Sequence, residues 1–179
     1  MKWVAIWFVL ALAWASPSKA AEGHALTMSG LGPVKIGMTV KQAEAALEAR
    51  LRMVEPNGTD SQACQYAERE DGRDRNVSYM IEGGQITRID IVALDRGAGH
   101  SMLVRTVAGI GVGATERAVR RAYGGSLVVK PHPYDDAGHY LEVYGPGRKR
   151  ALIFESGDGR VTSLRAGKRA SVEYIEGCE

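Results

Sequence analysis

Apolar positions recur at helical spacing in two short stretches of the chain. Val40, Ala43, Leu47 and Leu51 share one stripe while Lys41, Glu44, Glu48 and Arg52 lie away from it, the pattern of a helix that covers a single apolar surface. Thr39 stands before the first of these, and Gln42 follows three residues later. The two form a capping box in which each side chain satisfies a backbone donor that the first turn leaves orphaned. A first helix is therefore expected from Thr39 to about Arg52. A second is expected to start at Thr115, to bury Val119, Ala122 and Tyr123, and to stop at Gly124-Gly125, where glycine takes the left-handed cap conformation at no steric cost.

After each helix the apolar period changes to two, the period of a strand. Segments 63–67, 77–82 and 86–93 follow the first helix, the last two meeting across Gly83-Gly84 as a hairpin. Segments 127–130, 139–144, 151–155 and 161–165 follow the second, and 171–175 would add one more strand. Strands joined by short turns are antiparallel neighbours, because parallel pairing needs long crossovers. The expected class is α+β: short helices packed on antiparallel sheet.

The two helix starts also match each other. Residues 30–39 and 106–115 both run through alternating apolar and glycine positions into Gly-x-Thr, and Gly37 and Gly113 are 76 positions apart. A fixed offset with shared punctuation implies two tandem repeats, the first over 21–99 and the second, with a C-terminal tail, over 100–179. The run Val34-Lys35-Ile36-Gly37-Met38-Thr39, followed by Ala43 and Leu47, resembles the helix start of the small BamE-type outer-membrane lipoproteins and of the β-lactamase inhibitor proteins. The resemblance is one of architecture. It implies helices packed on one face of a sheet whose other face meets a protein partner, and it implies no particular site residue.

Composition changes the picture mainly at the N-terminus. Met1-Lys2, an apolar run from Trp3 to Ala15 and small residues at the minus-three and minus-one positions, Ser18 and Ala20, make residues 1–20 a secretory signal peptide, too short in its apolar core to span a bilayer. No later segment is apolar for long enough to be a membrane span. Lys2 and Lys19 leave with the leader and no acid does, so 23 basic residues become 21 against 21 acidic ones. A neutral mature chain lacks the clustered basic excess of a nucleic-acid footprint. The expected location is the bacterial periplasm or the medium. Two cysteines in an exported chain, Cys64 and Cys178, are expected to form a disulfide.

Candidate chemistry is sparse. Gly109-Ile110-Gly111-Val112-Gly113-Ala114 imitates a dinucleotide fingerprint, but such a site needs a parallel βαβ unit, and an antiparallel meander follows here. His132, Asp135, Asp136 and His139 place two imidazoles and two carboxylates in eight residues, types that suit zinc or acid–base work. Their spacing matches no common zinc signature, and no cofactor is expected. Tyr140, Glu142 and Tyr144 alternate with Leu141 and Val143 and so share one sheet face, with Tyr134 in the preceding turn. Tyrosine is favoured at interfaces, and these four are the candidate protein-binding residues. Alternation fixes which residues share a face, not which face is wet. The chain is therefore expected to be a protein-binding module rather than an enzyme; the alternative is a metal-dependent hydrolase centred on His132 to His139.

Overall fold

Two threonines set the frame. Thr39 and Thr115 both hold extended backbone (φ −73°, ψ 161° and φ −76°, ψ 149°) and each accepts a hydrogen bond from the amide three residues on. At Thr39 the reciprocal bond, from the Thr39 amide to the Gln42 side-chain oxygen, is also present, completing the capping box. Each is preceded by a glycine at positive φ, Gly37 at 98° and Gly113 at 82°, a conformation that side chains resist. The Gly37 amide donates to the Ile86 carbonyl and the Gly113 amide to the Val161 carbonyl, both at 2.8 Å. Both helices are thereby pinned to the first residues of a strand.

The computed structural model describes residues 25–54, 63–94 and 104–178; the expected leader and the expected boundary at 99–100 lie outside them. In chain order the elements are β1 (Leu26–Thr27), β2 (Gly30–Leu31), β3 (Val34–Lys35), α1 (Val40–Leu47), β4 (Leu51–Val54), β5 (Cys64–Arg69), β6 (Val77–Glu82) and β7 (Gln85–Val92). There follow α2 (Glu116–Tyr123), β8 (Leu127–Pro131), β9 (His139–Tyr144), β10 (Arg150–Gly157), β11 (Arg160–Lys168) and α3 (Arg169–Val172). β1–β3 form a small sheet, and the other eight strands form one antiparallel sheet in the order β4-β5-β6-β7-β11-β10-β9-β8. The class is α+β, mostly sheet with a few short helices. Each of the first two helices leads into a four-stranded meander, and the last strands of the two meanders pair: Ile91 with Leu164, Asp90 with Arg165 and Ile89 with Ala166.

Alternation along these strands sorts side chains onto two faces. Tyr79, Ile89, Ile91, Leu141, Phe154 and Leu164 project to the face under α1, α2 and the small sheet, where Ala43 and Val119 from the helices complete a single buried cluster. The ring of Tyr123 lies 5.3 Å from that of Phe154. Burial at about 25 cal/mol per Å² makes this layer the main source of stability. No described helix is long and apolar enough to cross a membrane.

Three expectations about elements are corrected. The first helix ends at Leu47, not near Arg52, because Glu48 turns into the left-handed region (φ 50°, ψ 40°); Leu51 and Arg52 belong to β4. Ala122 is exposed, since the buried stripe of α2 runs through Ala118, Val119 and Tyr123. Segment 171–175 is not a strand: its chain leaves α3 as a tail whose carbonyls bond to arginine side chains instead of to a neighbouring strand.

Candidate functional site

The face turned away from α1 and α2 is unlike an ordinary solvated sheet face. Its central row, read across paired strands, is Ser78, Asp90, Arg165, Ile153 and Glu142. Arg88 Nε lies 2.7 and 2.9 Å from the two Asp90 carboxylate oxygens, and the pair is nearly enclosed, with side chains 6% and 12% exposed. Burial pushes the Asp90 carboxyl up from its ordinary value, against the pull of Arg88. Arg165 is buried too, its guanidinium 4.9 Å over the Tyr140 ring, and its Nε has no hydrogen-bond partner. Glu155, beside it, lies 3.1 Å from His132 Nε2 and accepts from Ser163 Oγ. His132 Nδ1 accepts from the Tyr134 amide, which leaves Nε2 as the protonated nitrogen facing Glu155.

What covers these charges is the C-terminus. α3 packs against β7, β10 and β11, seating Val172 with Tyr140, Ala151 and Ile153 in a second, smaller apolar cluster. The chain then runs back across the face. Arg88 Nη1 donates to the carbonyls of Ser171 (3.1 Å) and Tyr174 (2.7 Å), and Arg165 Nη1 reaches those of Tyr174 and Ile175 at 3.4 Å. The Tyr134 hydroxyl bonds to Glu176. Gly177 passes over Tyr66 at positive φ, where a Cβ would stand 2.6 Å from the tyrosine oxygen. Cys178 then joins Cys64 on β5 in the expected disulfide, with Cα atoms 5.3 Å apart.

Two clefts flank this tail. One, of about 400 Å³, is lined by Tyr66, Glu68, Arg88, Asp90 and Val92 among others. The other, of about 450 Å³, is lined by Lys130, Pro133, Tyr140, Glu142 and Glu173 among others. Arg165 and Ile175 line both. A third cleft of about 290 Å³ lies on the helix side, between α1, the small sheet and Arg69.

The four candidate tyrosine-strand residues are brought to this one face but not to one environment. Tyr134 is 69% exposed, whereas Tyr140 and Glu142 are 6% and 3% exposed. Glu142 is paired with Lys130 at 2.8 Å and accepts from the Tyr144 hydroxyl. Tyr144 is half-buried under the Arg148 guanidinium, 3.8 Å above its ring. The charged centre formed by Arg88, Asp90 and Arg165 was not among the candidates. Its sequence signal is the alternation of charge with isoleucine in Arg88-Ile89-Asp90-Ile91, inside a strand that the flanking pattern makes central.

His132, Asp135, Asp136 and His139 are not brought to one point. His132 turns to Glu155 on the charged face, while His139 Nδ1 lies 2.8 Å from Glu116 at the start of α2, beneath the other face. Asp135 caps its own turn, accepting from the Ala137 amide, and Asp136 is exposed. Among the described residues no three His, Cys, Asp or Glu side chains are grouped to hold a metal ion.

His139 and Ser156 instead tie α2 to the sheet. Ser156 Oγ donates to Glu116 at 2.7 Å. Burial alone would raise the Glu116 carboxyl, but the bonds from Ser156 and His139 outweigh it and hold the group below its ordinary value. A depressed carboxyl stabilises the fold above the ordinary carboxylate range, and the contribution is lost as pH falls through the folded-state value. Glu116→Gln is therefore expected to lower the urea midpoint at about pH 7 and to lower it less as pH falls below the ordinary carboxylate range. An equal loss throughout would mean that the charge is irrelevant.

No protein-family model matches the chain, and neither does any curated protein. Among solved structures, the chain is similar to a DUF4309 family protein, YjgB, from Bacillus subtilis at 14% identity and a TM-score of 0.44, over 83% of this chain and 90% of that one.

Proposed function

We propose that the chain is an exported protein-binding module that docks its partner on the sheet face crossed by the C-terminal tail. The observation that carries this reading is the division of labour between the faces. The core is complete on the helix side, yet the opposite face carries two clefts, both lined by the exposed Ile175 and one also by the exposed Val92, and the exposed Tyr134 bonds to Glu176 of the tail that runs between them. Tyrosine and arginine are among the residue types enriched in protein interfaces, and this face presents both. The disulfide accords with an oxidising compartment. The matched glycine–threonine helix starts and the helix-then-meander order support a tandem duplication, and with it the architectural likeness to the inhibitor and BamE-type proteins.

The test is capture from an envelope extract, with the mature oxidised protein as bait beside Tyr134→Ala and Ile175→Asp. The expected result is a partner retained by the parent chain and weakened at least tenfold by each variant, at unchanged melting temperature because both side chains are exposed. Equal capture by all three baits would move the interface off this face.

A further inference from the structure

We propose that the cleft on the helix side, where α1 and the small sheet meet the first meander, binds a small uncharged amphipathic molecule whose polar head, an amide or a hydroxyl, both donates and accepts a hydrogen bond. The cleft lies away from the sheet face proposed to dock protein and is tested apart from it.

The cleft holds about 290 Å³, at the lower end of the range of about 300 to 1,000 Å³ for small-molecule sites. Leu31 and Pro33 from the small sheet and Leu47 from α1 give it apolar walls, and Arg69, Asp74 and Tyr79 from the first meander give it polar ones. Two of these polar groups lack hydrogen bonds. Tyr79 is 2% exposed, yet its hydroxyl bonds to no other group. It is not enclosed as the Arg165 Nε is, and the cleft is where it opens. Burial, with Asp74 close by, pushes the hydroxyl up to about 12, so at neutral pH it keeps its proton to donate. Asp74, its side chain 16% exposed, has Arg69 Nε 4.0 Å away, but that guanidinium already donates to Asp71 at 3.0 and 2.6 Å. A buried polar group without a hydrogen bond costs free energy that a matching ligand group recovers. The charges around the cleft balance, Arg69 and Arg73 against Asp71 and Asp74. The head that fits is therefore uncharged, donating to Asp74 and accepting from Tyr79.

The matching place on the second meander is filled by the protein itself. Tyr123 ends α2 as Leu47 ends α1, and Phe154 stands on β10, the third strand of its meander, as Tyr79 stands on β6, the third strand of the first. The rings of Tyr123 and Phe154 lie 5.3 Å apart. With leucine where the second helix has tyrosine, room is left over the first meander. With tyrosine where the second meander has phenylalanine, the lining of that room gains a hydroxyl. A gap that served packing alone would be lined by hydrocarbon.

The experiment titrates the full oxidised chain with phenylacetamide, phenethyl alcohol and phenylacetate, following backbone amide shifts by NMR. The amide or the alcohol is expected to shift the amides of Leu31, Leu47 and Tyr79. Either should bind at least about tenfold more tightly than phenylacetate, which has no proton to donate and meets Asp74 as a like charge. Tyr79→Phe and Asp74→Asn should each weaken the neutral probe about tenfold; asparagine suits the left-handed backbone of residue 74 (φ 54°). Tyr79→Phe should melt no lower than the parent chain, because the hydroxyl it removes has no partner. Leu47→Tyr, which fills the cleft as Tyr123 fills its counterpart, should abolish binding; if that variant fails to fold, Tyr79→Phe decides. Neither neutral probe binding, so that the cleft holds only water, would overturn the proposal. So would phenylacetate binding as tightly as its amide, shifts confined to the opposite sheet face, or affinity unchanged in Tyr79→Phe. Envelope capture through Tyr134 and Ile175 is read on that opposite face, so its success or failure is scored independently of these outcomes.

Discussion

Asp90→Ala is expected to cost about 3 to 5 kcal/mol, the range for stranding one member of a buried ion pair. Both oxygens of the carboxylate face the Arg88 Nε, and the guanidinium is 6% exposed, so it has no water to turn to when the carboxylate goes. Its remaining partners are tail carbonyls, which carry no charge, and its cross-strand surroundings include a second buried guanidinium, Arg165. The cost comes from the stranded charge, not from a strong pair. Burial already pushes the Asp90 carboxyl upward against Arg88, meaning that desolvation consumes much of their attraction. Replacing both members, as Arg88→Met with Asp90→Leu, should therefore return stability to near that of the parent or above it. Urea midpoints of the two single variants and the double variant check this. Additive losses in the double variant would show that the pair contributes in its own right.

Some of this architecture is legible from residues alone. Thr39 and Gln42 announce a helix start because capping chemistry is local, needing only a three-residue spacing. The disulfide is legible because the chain holds two cysteines and no more. Leu51 misleads for an equally physical reason: it continues the 3.6-residue stripe past a helix that has already stopped. The stop is a left-handed Glu48, a residue type that gives no warning of that conformation. The tail misleads because its path is decided at long range. Arg88 and Ser171 are 83 positions apart, and no periodicity in 171–175 records that guanidiniums will take the place of a neighbouring strand. The site centre follows the same logic. Asp90 and Arg165 become neighbours only when the last strands of the two meanders pair, so each alone looks like a charge on a solvated strand.

Tyr140→Ala is expected to cost about 3 to 5 kcal/mol of stability, the usual range for truncating a large buried aromatic. The ring is 6% exposed. Its centroid lies 4.8 Å from that of the His132 ring, tilted by 47°; it sits under the Arg165 guanidinium at 4.9 Å and closes the apolar cluster with Ala151, Ile153 and Val172. Removing it leaves a cavity beneath α3 and takes the aromatic face away from a guanidinium that already has one unpartnered nitrogen. Tyr134→Ala, at 69% exposure, should change stability by no more than about 0.5 kcal/mol. The two tyrosines stand on the same side of the sheet, so the comparison separates a residue that builds the docking face from one that is presented on it. A melting curve and a partner titration for each variant suffice. Loss of stability in Tyr140→Ala and loss of binding alone in Tyr134→Ala are the expected pair of results. If Tyr140→Ala melts like the parent chain, α3 does not cover that ring in solution and the face is already open.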